Sequence, residues 1–100
     1  MLDKETSREV RSEIRTILMG EWDPIGVKDV PEAADEYDSY IGGVYELLEQ
    51  GASEERIGAY LRQIEIEQME MVDASREPLL PDANRNTTAA ALKSLGRYFR

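Results

Sequence analysis

Glu46 with Glu49, and Glu67 with Glu70, stand three positions apart in stretches of helical periodicity, which sets two carboxylates on one helix face. Such a pair suits a hard cation such as magnesium. A di-iron centre would need a histidine beside its glutamates, and the chain contains no histidine. Asp35, Glu36 and Asp38 crowd around Tyr37 in the manner of a calcium site, but the central glycine and closing bidentate glutamate of a calcium loop are missing. Ser39 and Ser53 have no histidine or lysine base to activate them, and cysteine is absent. No glycine-rich loop follows a strand, so there is no phosphate cradle. The acids therefore read as surface, with no catalytic, cofactor or metal-binding set, and no enzyme activity is expected.

That surface is unevenly charged. The net charge is -9, and residues 21–77 carry sixteen acidic against four basic side chains, a balance of -12. Residues 1–20 balance to zero and residues 78–100 to +3. A middle so acidic repels a phosphate backbone, so nucleic acid is not an expected ligand. It attracts and steers a basic protein instead. The plain alternative is that the acids keep the protein in solution. No signal-like opening or long apolar run occurs, and with no cysteine a cytoplasmic location and no membrane partner are expected.

One hundred residues, 41% of them hydrophobic, support one core, and a single domain over residues 1–100 is expected. Thr6-Ser7-Arg8-Glu9 reads as a capping box opening a first helix, in which Val10, Ile14, Ile17 and Leu18 form one stripe and Gly20 marks the stop. Arg8, Arg11 and Arg15 share that helix with Glu9 and Glu13 and read as a solvated face. Asp23-Pro24 and Gly26 break the helical pattern, and Trp22, Ile25 and Val27 are apolar enough to pack as a covering loop with Trp22 in the core. Pro31-Glu32-Ala33 reads as a short helical turn.

A second helix is predicted over Asp38–Gln50, with Gly51 closing it and Gly42-Gly43 leaving a flat spot for another backbone, the Trp22 ring or a ligand. Ser53 caps a third, with Ile57, Tyr60, Leu61 and Ile64 inward and Glu65, Glu67 and Glu70 toward solvent. The short link between these helices predicts antiparallel neighbours. Leu79-Leu80, framed by prolines, reads as an extended strap, and Asn86 or Thr87 as the cap of a last helix through about Tyr98. The expected fold is all-α, a small bundle of about four helices.

Leu18 through Val27, Asp35-Glu36-Tyr37-Asp38-Ser39-Tyr40, Leu47-Leu48, Gly51-Ala52-Ser53-Glu54-Glu55 and Ile64-Glu65 together resemble a group of small bacterial helical proteins. That group shares a stretch matching Glu21-Trp22-Asp23-Pro24 and Gly26, followed by one matching Glu36-Tyr37-Asp38 and Tyr40. It is a domain of unknown function, and it implies no catalytic residues. In type, though not in motif, a small acidic chain like this is also similar to immunity proteins that neutralise bacterial toxins. The expected function is an acidic protein-binding module that occludes a basic partner such as a toxin nuclease domain. The rival is a small structural or regulatory protein without a toxin partner. The chain is expected to be a monomer or weak homodimer. Asp35, Glu36, Tyr37, Asp38, Tyr40, Glu65, Glu67 and Glu70 are the candidate contact residues.

Overall fold

The computed structural model describes residues 2–99. Four helices and the turns between them enclose one apolar core, and the single β pairing among the described residues is an isolated bridge between Val72 and Pro78. No helix among the described residues is long and apolar enough to cross a membrane.

Helix α1 spans Lys4–Ile17 and begins before the predicted start. Asp3 is its N-cap, accepting the Thr6 amide at 2.7 Å, and that bond holds the Asp3 carboxyl below its usual range. Thr6 belongs to the first turn, so the capping-box pattern falls one turn late. Gly20 does not stop the helix. The chain continues as a π turn over Leu18–Trp22, closed by the Asp23 amide on the Leu18 carbonyl at 2.9 Å. Val10, Ile14, Leu18 and Trp22 are all buried, so the turn carries the indole to the end of the core stripe. Trp22 is core, as expected, but it sits on a helical turn and not in a loop.

Asp23 is the residue that reverses the chain. Its φ of 34° lies in the left-handed region, which aspartate tolerates better than bulkier residues. Its carboxylate repays the strain by accepting the amides of Val27 at 2.8 Å and Lys28 at 3.1 Å. Pro31–Ala33 and Asp38–Tyr40 then form short 3₁₀ turns before α2, Ile41–Glu49. Gly51, at φ 73°, ends α2 while the Ala52 amide reaches back to Leu47 at 2.9 Å.

Ser53 caps α3, Glu54–Gln63, accepting the Arg56 amide at 3.1 Å. A second π turn, Ile64–Gln68, extends it. The predicted pairing of α2 with α3 is not the main one: α3 lies along α4, whereas α2 packs on α1 and on the 3₁₀ turn Leu95–Phe99. In the strap, Leu80 packs on the core but Leu79 is 58% exposed. Helix α4 spans Asp82–Ser94, starting directly after Pro81 and earlier than predicted. That earlier start places Arg85, Thr88, Ala89 and Leu92 on one buried stripe.

Candidate functional site

The candidate residues separate into an interior set and a surface set. Glu65 was expected in solvent, but its side chain is fully buried. It lies four residues beyond Leu61 and eight beyond Ile57, on the inward stripe of α3. One carboxylate oxygen accepts the indole N–H of Trp22 at 2.9 Å, and the other accepts from the Arg85 guanidinium at 2.8 Å. Arg85 also donates to the Leu80 carbonyl at 3.2 Å and pairs with Asp82. Burial pushes the Glu65 carboxyl above its usual range, against the opposing pull of Trp22 and Arg85. The two π turns thus meet through Trp22 and Glu65, with α4 supplying the cation.

Tyr37 is the second correction. It is 2% exposed, its ring lies 5.4 Å from that of Trp22, and its hydroxyl donates to Asp23 at 2.7 Å while accepting the Ile25 amide at 3.1 Å. Burial, then the hydrogen bond to Asp23, holds the phenol proton well above the ordinary tyrosine range. Tyr37 and Glu65 are therefore unavailable to a partner because they fasten the interior. Residues of the two aromatic and acidic stretches, 21–26 and 36–40, converge here: Trp22 on Glu65, Asp23 on Tyr37, and Tyr40 edge-on to Trp22 at 6.1 Å. Their geometry fastens the two π turns and the Asp23 turn to one another.

Of the surface set, Tyr40 and Glu67 are brought to one groove. Asp35, Glu36, Glu67 and Glu70 are exposed, and Asp38 and Tyr40 are half-buried. A groove of about 390 Å³ runs between the Asp38–Tyr40 turn and the end of α3, with Ser39 and Tyr40 on one side and Gln63 and Glu67 on the other. The groove joins two segments that lie far apart in sequence. Tyr60, not counted among the candidates, also lines it. Its phenol is held above the usual range by burial, then by neighbouring Tyr40 and Glu46. Gly43 explains how Tyr60 fits: a Cβ at that position would stand 2.0 Å from the Tyr60 hydroxyl. The flat spot in α2 thus receives a tyrosine from α3, not the Trp22 ring.

The remaining candidates have local roles. Asp38 forms an ion pair with Arg15, which raises the guanidinium's affinity for its proton. Glu67 accepts from Gln63 at 2.8 Å, and Glu70 ends the helical segment at a φ of 51°. Among the described residues, no group of three acidic side chains converges where a metal ion could sit. Arg85 was not expected from the sequence, and Asp23 was expected to break the helix but not to accept from Tyr37, Val27 and Lys28. The signal for Arg85 was its spacing from Ala89 and Leu92; for Asp23 it was the Asp-Pro-x-Gly turn chemistry. No protein-family model, curated protein or solved structure matches this chain.

Proposed function

We propose that this protein is an acidic binding module that occludes the basic surface of a protein partner, in the manner of an immunity protein covering the phosphate-contacting face of a toxin nuclease. One observation carries the reading: the tyrosine-lined groove joins the Asp38–Tyr40 turn to the Glu67 end of α3, so an exposed acid stands beside half-buried aromatic side chains from two distant segments. Asp35 and Glu36 are exposed acids just ahead of that turn in the chain, and Tyr40 and Tyr60 offer the ring area that charge alone lacks. A nuclease presents lysines and arginines to phosphate, and such a face is complementary to these carboxylates. Residues 21–77, at -12, supply the long-range field that speeds the encounter.

The test begins with affinity capture from the native cytoplasm and then follows association of the captured protein with the wild type and two variants. The expected partner is basic. Its on-rate falls with added salt, falls again in Asp35→Asn/Glu36→Gln, and falls in Glu67→Gln/Glu70→Gln. An acidic partner, or association indifferent to salt and to both variants, overturns the reading.

A further inference from the structure

The arginines of α1 form a feature that the acidic reading does not use. Arg8, Arg11, Ser12 and Arg15 recur at helical spacing on one face, and they line a groove of about 450 Å³ whose far side is Asp38, Ile41 and Gly42. Glu9 and Glu13 do not neutralise this face, because both turn toward the Tyr98 hydroxyl. Arg11 is held over the Tyr45 ring at 4.3 Å, and Arg8 makes no hydrogen bond or ion pair among the described residues. A Cβ at Gly42 would meet nothing within 4 Å, so the floor is open. Of the three arginines expected to share a solvated face with Glu9 and Glu13, Arg15 alone pairs with an acid among the described residues, and that acid is Asp38 from outside the helix.

The groove continues along the same helix. Arg15 also borders a second hollow of about 430 Å³, where Met19, Val30 and Pro31 supply apolar surface and Lys28 and Asp29 stand at the edge. Val30 is 43% exposed there. The two hollows form one track from Arg8 to Gly20, roughly 18 Å of helix and room for about five extended residues. Four cations line it against Asp29 and Asp38, in a chain whose overall charge is -9. Asp35 also acts on Arg15 from outside the track.

We propose that this track docks a short acidic segment of another protein, its carboxylates on Arg8 and Arg11 and an apolar side chain over Met19 and Val30. Carboxylates match guanidinium groups in geometry as well as charge. A nucleic acid fits less well, since the apolar half offers nothing to phosphates and the surrounding acids repel a longer polyanion. The track is distinct from the tyrosine groove: Asp38 borders the first, and Ser39 and Tyr40 border the second. The inference does not rest on the proposed function and carries the opposite charge logic.

Amide shifts of the full chain, titrated with a synthetic peptide of alternating aspartate and leucine, test the assignment. Saturable changes are expected over Arg8–Gly20 and Val30–Ala34, weakening with salt and lost when asparagine replaces every aspartate in the peptide. Arg8→Glu/Arg11→Glu weakens binding roughly tenfold or more. Met19→Asp weakens it from the apolar end, and helical circular dichroism verifies that each variant folds. No saturable change, equal binding of the asparagine peptide, or changes mapping to the tyrosine groove would overturn the proposal. So would tighter binding of an oligothymidylate, or the same shifts on raising protein concentration alone, which would assign the track to nucleic acid or to a second copy.

Discussion

Glu65 and Asp38 each face an arginine, and the two pairs do opposite work. Glu65 and Arg85 have side chains 0% and 5% exposed, whereas Asp38 and Arg15 are 33% and 52% exposed. Both buried charges have lost their hydration, so every remaining hydrogen bond must come from the protein. Here Trp22, Leu80 and Asp82 complete the set, and no buried side-chain polar atom among the described residues lacks a partner. The exposed pair has water as an alternative at all times. The same two functional groups thus define an interior position in one place and decorate a surface in the other.

Removing one member of the buried pair breaks the comparison most severely. Arg85→Ala leaves the Glu65 carboxylate inside without its cation and opens a cavity on the α4 stripe, and should cost about 3–5 kcal/mol in denaturant unfolding. Replacing both, as Glu65→Leu/Arg85→Met, should cost much less than the sum, because no charge is left uncompensated. An additive double variant would show that the pair does not act as a unit.

The pH dependence tests the same burial from another side. Burial raises the folded-state pKa of Glu65 above its unfolded value of 4.5. Between those two values the native state holds more protons than the unfolded chain, so stability falls as pH rises through the window. The contribution is complete below the unfolded pKa and lost above the folded one. Wild type minus Glu65→Gln, measured by urea titration across that range, should therefore decline with rising pH. A difference that grows with pH would mean that Arg85 outweighs burial.

How legible this was in the sequence follows from the physics of each position. The stripes of α1 and α3 were readable because apolar spacing alone determines which face is buried, and the caps at Ser53 and Gly51 followed from local chemistry. Glu65 was misread by its charge. Its spacing from Ile57 and Leu61 put it inside, but only partners on Trp22 and Arg85 make that tolerable, and those lie 43 and 20 residues away in sequence. The π turns were not readable, since each depends on what the widened turn meets across the core. Tyr37 and Tyr40 differ by burial, which type and spacing do not distinguish. Of the candidate contact surface, the exposed acids were legible, but the groove that brings Tyr40 to Glu67 needed the path of the chain between them.

The adjacent glycines of α2 sharpen the inside–outside contrast at one backbone. Gly43→Ala drives a methyl into the rigid Tyr60 ring and should cost about 1–3 kcal/mol, an overpacking effect that exceeds the helical preference for alanine. Gly42→Ala enters open space and should gain up to about 1 kcal/mol. Thermal melts of the two variants should move in opposite directions. If Gly43→Ala also stabilises, Tyr60 has room to move and the groove it lines is not fixed.

The smallest effect is expected at the exposed pair. Asp38→Asn removes one charge but leaves an amide able to accept from Arg15, and water serves both groups already. The denaturation midpoint of Asp38→Asn should match the wild type at moderate salt. At low salt a slight drop is expected, because screening then no longer hides the lost attraction. A second consequence separates this substitution from a neutral surface change. Asp38 is one of two acids bordering the arginine track, so its neutralisation leaves Arg15 freer to hold an acidic peptide. Asp38→Asn should accordingly tighten binding of the aspartate–leucine peptide while leaving stability nearly untouched. A large loss of stability would instead show that the Arg15–Asp38 bridge, for all its exposure, pins the turn that leads into α2.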